Sequence, residues 1–173
     1  METDQKLPIN YTERAELTIP AFGSTPELKL DITSIREGES RLIEAKVVNG
    51  GTYSDLEYIY NEGYRQAKKH LSHVGYEITR AKKSLREAKS QAILDDYPEF
   101  LKENKMKDNA TVRDAFLERR GDYVAAQDRI DMLTAVESLL EGKVKVFENV
   151  CRYMKKQMDI TIRSGVDSNK YLR

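Results

Sequence analysis

Apolar residues recur every three or four positions along one long stretch of this sequence, from Thr52 to Leu94. The series consists of Tyr60, Tyr64, Ala67, Leu71, Val74, Ile78, Ala81, Leu85, Ala88 and Ala92. Alternating spacings of four and three place such side chains along one side of a helix, as in a coiled coil. The stretch therefore predicts a long helix that packs along its length against another helix.

The ends of this helix are marked by residues with known capping and breaking tendencies. Gly50-Gly51 is a break, and Ser54 with Glu57 has the form of a capping box, so the helix is expected to begin near residue 53. Pro98 cannot donate a backbone hydrogen bond and disfavours helical geometry at the residue before it. The predicted helix therefore spans about 53–94.

A second seam lies in the C-terminal third of the chain. Two interleaved series with seven-residue spacing are Ile130, Glu137, Val144, Cys151, Met158 and Leu133, Leu140, Phe147, Met154, Thr161. They predict a second helix over about 112–163, with Gly165 as its C-cap and residues 166–173 as a flexible tail. Only 39% of the residues are apolar and 34% are charged, which is typical of long, half-exposed helices. The expected fold class is mainly α, a long antiparallel helical hairpin resembling a coiled coil.

The polar connector, residues 95–111, sets the expected register of the hairpin, with a helical turn or two predicted from Pro98 to about Lys105. If its midpoint is the apex, facing positions add up to about 206. Glu137 would then lie near Lys69, and the arginines 119 and 120 beside the segment 82–86.

The N-terminal part has a different character. Two short β-like runs, Glu16 to Ile19 and Leu28 to Ile32, predict a small β-like arm or hairpin within residues 1–33. Ser34 and Glu37 form another capping box, which predicts a short helix over about 34–45. Residues 46–49 are expected to be extended. Residues 34–165 together form the predicted helical domain.

Positive charge is concentrated on the first long helix. The chain has 29 basic and 29 acidic residues, yet the segment 53–94 holds eight basic residues and five acidic ones. Such a run is commonly a solvated face, but it also suits binding to phosphates, which gives a salt-sensitive affinity without sequence selectivity. The candidate nucleic-acid-binding residues are Lys82, Lys83, Arg86, Lys89, Arg80, Lys68, Lys69, Arg119 and Arg120.

Two tyrosines of this helix are candidates for base stacking. Tyr64 lies on the apolar seam, which favours core packing, whereas Tyr76 lies beside the seam and is freer to stack.

Nothing in the sequence predicts an enzyme, a metal site or a cofactor. His70, His73 and Glu77 share a helical face, but no further ligand accompanies them, and Cys151 occupies a seam position typical of a small apolar residue. A single cysteine fits a reducing cytoplasm. The absence of a signal peptide and of a long apolar run predicts a soluble intracellular protein, without a membrane.

Several short segments, taken in order, resemble the UvsY family of bacteriophage recombination mediators. They are the short helix, the extended link, the helix start Tyr53-Ser-Asp-Leu-Glu-Tyr58, the run Arg80-Ala-Lys-Lys-Ser-Leu-Arg86, the segment Leu94-Asp-Asp-Tyr97, and a last helix with Gly142, Phe147 and Lys155-Lys156. The resemblance covers about residues 34–165.

This resemblance implies a DNA recombination and repair accessory protein that binds single-stranded DNA and helps to load a recombinase onto it. It also implies a homo-oligomer, such as a ring, with a phage recombinase and a single-strand-binding protein as partners, in the cytoplasm of an infected bacterial cell. The DNA contact would be the basic end of the first helix, Lys82, Lys83, Arg86 and Lys89. The alternative is a virion structural or assembly protein, a scaffold, neck or small packaging subunit, whose hairpin serves only protein contacts.

Overall fold

A computed structural model describes the backbone of residues 15–21, 25–44 and 50–170, and the side chains of 15–21, 25–43 and 52–163. Its elements are β1 (Glu16–Ile19), β2 (Leu28–Asp31), α1 (Thr33–Glu44), α2 (Gly50–Asp95), α3 (Tyr97–Glu103), α4 (Ala110–Glu118) and α5 (Gly121–Lys170). The first 14 residues of the predicted arm, the predicted extended link and residues 171–173 lie outside the described residues.

The predicted fold class is confirmed, because α2 packs against α5 as a long antiparallel hairpin and β1 pairs with β2 in a two-stranded sheet. The short helix predicted over about 34–45 is α1. The chain divides into two compact units, of which the first comprises residues 1–17, 29–68 and 142–173, and the second 18–28 and 69–141. Each unit has its own core.

The core of the first unit is built around Phe147 of α5, whose side chain is completely buried. Its ring lies 6.5 Å from the ring of Tyr60, measured between centroids. Two glycines, Gly38 of α1 and Gly63 of α2, lie so close that an added Cβ would come within 3 Å of the Phe147 ring. Helix α1 is also tied to α2, since the Ile35 N–H donates to the Gln66 side chain at 3.1 Å.

The second unit holds two groups of buried side chains. One lies on the seam and includes Val74, Ile78, Ile130 and Leu133. The other contains Ala92, Tyr97, Phe116 and Leu117, with Phe100 packed against them. The Tyr97 hydroxyl donates to Asp108 at 2.9 Å, and both carboxylate oxygens of Asp108 accept from Arg113. These contacts fix α3 and α4 at the end of α2.

Arg129 is a structural residue of the second unit that the sequence pattern did not single out. Its guanidinium is buried and donates to the backbone carbonyl of Pro26 at 3.2 Å and to that of Pro20. A buried cation is tolerated when it is hydrogen-bonded, and the two terminal nitrogens of Arg129 have carbonyl partners, whereas its buried Nε has none among the described residues. The side chain therefore holds the segment after β1 and the segment before β2 against α5.

The prediction of one continuous helix over 112–163 is wrong, because the helix is interrupted between α4 and α5. The backbone N–H groups of Arg119 and Arg120 donate to the carbonyls of Phe116 and Leu117, three residues earlier, which tightens and ends α4. The N-cap of α4 is Asn109, whose side chain accepts from the Val112 N–H at 2.9 Å.

Three predicted helix ends also differ from the structure. Helix α2 begins at Gly50, so Ser54 lies inside it and is not its cap. At α1, Asp31 accepts from the Thr33 N–H at 3.0 Å, and the helix begins before Ser34. Helix α5 continues through Gly165 to Lys170, so the predicted C-cap is wrong. By contrast, the end of α2 at Asp95 and the turn of helix after it agree with the prediction from Pro98.

The predicted register of the hairpin is wrong by more than one helical turn in the second unit. A carboxylate oxygen of Glu137 lies 3.6 Å from the position of a Cβ at Gly75, whereas the midpoint rule placed Glu137 near Lys69. Arg120 binds Asp96 rather than lying beside residues 82–86. The reason is that α3 and α4 fill the connector, so the chain does not turn at its midpoint.

Candidate nucleic-acid interface

The five cations from Arg80 to Lys89 lie on a section of α2 that is open to solvent. We call them the basic ridge: Arg80, Lys82, Lys83, Arg86 and Lys89. No residue from Thr79 to Gln91 is buried, and the seam residues of this section are only half-buried. Two turns of helix therefore present positive charge to solvent within the second unit.

Three members of the ridge form a row on one side of α2. Lys82, Arg86 and Lys89 are spaced by four and three residues, so their side chains project from the same face over a rise of about 10 Å. Among the described residues, none of the three has an acidic group within 4 Å. A row of cations without counter-charges is suited to binding a chain of phosphates.

The other two members of the ridge take part in weak ion pairs. Arg80 lies 3.8 Å from Glu77, and Lys83 lies 3.8 Å from Glu87. The Lys83 pair is largely exposed on both sides, and such pairs contribute little to stability because water and salt screen them. An incoming phosphate can therefore replace Glu87 at small cost, whereas Glu77, the partner of Arg80, is buried.

Lys68 and Lys69 are exposed but differ in their surroundings. Lys68 belongs to the first unit, where its ammonium lies 5.7 Å from the centre of the Tyr64 ring. Lys69 belongs to the second unit and lies eleven residues before Arg80 along α2. Neither is a member of the row, although both add positive charge to α2.

Arg119 and Arg120 do not join the ridge. Arg120 donates to Asp122 at 3.1 Å and also binds Asp96, and these two carboxylates raise the pKa of the guanidinium. In turn the hydrogen bonds from Arg120 lower the pKa of Asp122. Arg120 is therefore held at the junction between α2 and α5, whereas Arg119 is an exposed C-cap residue of α4.

The two tyrosines considered for base stacking differ in exposure, as their positions on and beside the apolar seam predict. Tyr64 is half-buried, and its hydroxyl donates to Glu148 at 3.2 Å. Tyr76 is 66% exposed and lies seven residues before Lys83, which puts both side chains on the same side of α2. Tyr76 is thus the ring that a nucleobase could reach beside the ridge.

A shallow cavity of about 320 Å³ lies in the first unit. It is lined by Asn61, Tyr64, Glu148, Cys151, Arg152 and Lys155. Cys151 is half-buried, its thiol donates to Asn61 at 3.8 Å, and burial raises the pKa of the thiol. A raised pKa reduces the thiolate fraction, so this arrangement favours a packing role over a nucleophilic one.

The remaining residues considered from the sequence do not converge. His70 and Glu77 are buried whereas His73 is exposed, and the described residues contain no cluster of three metal-ligating side chains.

Among the helices whose residues are described, none is long and apolar enough to cross a bilayer.

Comparison of the chain with protein-family models, with curated proteins and with solved structures finds no match. The fold and the ridge therefore define a class, a helical hairpin protein with an exposed cationic row.

Proposed function

We propose that the protein binds single-stranded DNA through the basic ridge of α2 and acts as a recombination mediator that helps to load a recombinase. The observation that carries the proposal is the row of Lys82, Arg86 and Lys89, exposed or half-exposed and without acidic groups nearby in the described structure. Cations in this setting attract phosphates, and their binding releases counterions.

This surface is better suited to single-stranded DNA than to duplex DNA. The ridge is a short row of flexible cations, and an exposed aromatic ring, Tyr76, lies seven residues before Lys83 on the same helix. Stacking on an aromatic ring tolerates every base and requires bases that are free of a duplex. The combination favours binding without sequence selectivity.

The recombination role comes from the resemblance to the UvsY family. The same resemblance implies a phage recombinase and a single-strand-binding protein as partners. It also implies a homo-oligomeric state and the cytoplasm of an infected host as the place of action. In an oligomer, several ridges of modest affinity bind one strand together, and their linkage raises the overall affinity without new contacts.

The decisive experiment is a salt titration of binding to a labelled, mixed-sequence single-stranded oligonucleotide. Wild type is compared with a ridge variant, K82Q/K83Q/R86Q, and with a control that loses the same charge from the connector, K102Q/K105Q/K107Q. Loss of three phosphate contacts should lower the slope of log affinity against log salt by about 2 in the ridge variant. The control should keep both the slope and most of the affinity.

Two results would reject the proposal. One is a wild-type protein that does not bind at low salt, which would favour the virion structural or assembly protein of the alternative hypothesis. The other is a ridge variant with the affinity and slope of the connector control. If binding is found, assembly of a recombinase on DNA coated with single-strand-binding protein tests the mediator step, and a mediator should shorten the lag of assembly.

A further inference from the structure

The shallow cavity of the first unit lies between α2 and α5, and its lining follows the helical repeat. Two residues of α2, three positions apart, and four residues of α5, at spacings of three, one and three, form its walls: Asn61, Tyr64, Glu148, Cys151, Arg152 and Lys155. Residues at these spacings share one face of a helix. Two helix faces therefore meet at the cavity, which we call the Tyr64 cavity, and all of its residues belong to the first unit.

Two hydrogen bonds between α2 and α5 hold the polar side chains of the Tyr64 cavity. The Tyr64 hydroxyl donates to one carboxylate oxygen of Glu148 at 3.2 Å, and the Cys151 thiol donates to the side-chain oxygen of Asn61 at 3.8 Å. Within the described structure, the NH2 group of Asn61 and the second carboxylate oxygen of Glu148 have no hydrogen-bond partner. The cavity therefore keeps a donor and an acceptor for a ligand.

Arg152 and Lys155 supply the positive charge of the cavity. Both side chains are exposed, and neither has an acidic group within 4 Å among the residues that the structure describes. Glu148 lies one helical turn before Arg152 but bonds to Tyr64 instead. A phosphate monoester carries about 1.5 to 2 negative charges at pH 7, whereas each phosphodiester of a DNA backbone carries one. Two neighbouring cations without counter-charges therefore match a phosphate monoester.

The ring of Tyr64 gives the cavity an aromatic wall. The side chain is half-buried, and its hydroxyl is fixed by the bond to Glu148. An aromatic ring accepts any base by stacking, and cations beside it bind the phosphate of the same nucleotide. The volume of about 320 Å³ lies at the lower end of the range of about 300–1,000 Å³ for small-molecule sites. It therefore suits one nucleotide rather than several.

We propose that the Tyr64 cavity binds a single nucleotide with a terminal phosphate, placing the phosphate monoester on Arg152 and Lys155 and the base against the Tyr64 ring. The NH2 group of Asn61 and the second oxygen of Glu148 are available to the polar edge of the base. Two sources present this chemistry, a free nucleoside monophosphate and the 5′-phosphorylated end of a DNA strand. The proposal does not depend on the basic ridge, which shares no residue with the cavity and belongs to the second unit.

Cys151 is the single cysteine of the chain, so its thiol reports whether the cavity is occupied. Its alkylation by iodoacetamide, an uncharged reagent, is timed with and without deoxyadenosine monophosphate (dAMP), and the affinity for dAMP is measured by calorimetry. Saturating dAMP should slow alkylation by about 5-fold or more, because the bound nucleotide covers the thiol. Deoxyadenosine, which lacks the phosphate, and deoxyribose 5-phosphate, which lacks the base, should each bind about 10-fold or more weakly than dAMP.

A pair of charge variants tests the two cations. R152Q/K155Q removes them, whereas the control K145Q/K156Q loses the same charge from exposed positions of α5 that do not line the cavity. R152Q/K155Q should bind dAMP about 10-fold or more weakly. The control and the ridge variant K82Q/K83Q/R86Q should both keep the wild-type affinity for dAMP and the protection of Cys151. A failure of the cavity is thereby distinguished from a failure of DNA binding at the ridge.

A mixed-sequence oligonucleotide with and without a 5′-phosphate separates the two sources of the ligand. Protection of Cys151 by the phosphorylated strand, but not by the 5′-hydroxyl strand, identifies the strand end as a ligand, and protection by dAMP alone identifies the free nucleotide. Three results overturn the proposal: dAMP does not slow alkylation of Cys151, R152Q/K155Q binds dAMP like its control, or the 5′-hydroxyl strand protects the thiol as well as the phosphorylated strand does.

Discussion

The packing around Phe147 leads to a prediction with an unusual sign. Replacing glycine by alanine inside a helix ordinarily stabilises it by up to about 1 kcal/mol, because alanine loses less backbone entropy on folding. Gly63 lies inside α2, so propensity alone predicts a gain for Gly63→Ala. We expect a loss instead, because the new methyl group would lie 2.8 Å from Cζ of the Phe147 ring.

The magnitude follows from how little the ring can move. Gly38 of α1 lies against the same edge of the ring, where its added Cβ would be 2.6 Å from Cε1 and 2.9 Å from Cζ. The ring is completely buried, so overpacking at this point should cost about 1–3 kcal/mol. After the gain in propensity of about 1 kcal/mol, Gly63→Ala should lower the free energy of unfolding by up to about 2 kcal/mol.

The assay is urea unfolding followed by circular dichroism, with Gly142→Ala as the matched control. Gly142 also lies inside a helix, but nothing lies within 4 Å of its added Cβ, so this variant should gain about 0.5–1 kcal/mol. Unfolding is measured at several protein concentrations, so that any effect of self-association on the apparent stability is detected.

A double-mutant cycle identifies the ring as the cause. Phe147→Leu is destabilising by itself, but it makes room for the methyl group, so it should reverse most of the cost of Gly63→Ala, giving a favourable coupling of about 1 kcal/mol or more. If Gly63→Ala instead stabilises the protein as much as Gly142→Ala does, the position of the Phe147 ring against α2 is wrong.

Three further predictions concern side chains outside the ridge. Arg129→Met should lower the free energy of unfolding by about 2–4 kcal/mol in urea melts, because two backbone carbonyls lose their charged donor, and Arg129→Lys should recover only part of this. Asp122→Asn should destabilise the protein at pH 7: the pKa of Asp122 is lowered in the folded state, so its contribution is present above the unfolded pKa and is lost as the pH falls. Equal stability of Asp122→Asn and wild type at pH 7 in low salt would contradict this. Cys151 should react with a thiol reagent at pH 8 at least about 10-fold more slowly in the native protein than in urea, because burial raises its pKa; equal rates would place the thiol in solvent.

The hairpin could be predicted from the sequence because its seams consist of large residues at regular spacing. Leu133, Leu140, Phe147 and Met154 repeat at seven-residue intervals, and all four are buried. A spacing of this kind selects one face of a helix whatever the remaining residues are. The β-like arm was also predictable, because the alternation of Leu28 and Leu30 matches their burial in β2.

The junction between the hairpin's two long helices could not be predicted, because its geometry depends on contacts distant in sequence. At the break between α4 and α5, Arg120 pairs with Asp96 and Asp122, and helix propensity does not report such pairs. The register followed from the same junction, so the error there placed Glu137 near Lys69 instead of beside Gly75. In the same way, the sequence alone suggests that Gly38 weakens α1, because glycine is a poor helix former. The structure shows that its missing side chain leaves room for the Phe147 ring.

The candidate site was predictable in part. Positive charge on α2 follows from counting, but only the structure shows that the seam beside the ridge is half-buried and that Arg120 is engaged elsewhere.

The homo-oligomer of the proposed function leads to a prediction about strand length. If copies of the chain associate, a strand long enough to reach more than one ridge should bind more tightly than a short strand, by about 10-fold or more, since each further contact is made at high effective concentration. The ridge variant K82Q/K83Q/R86Q should lower the salt slope on both strands, because every ridge loses cations. Equal affinity of wild type for the short and the long strand would contradict the oligomer as the unit that binds DNA.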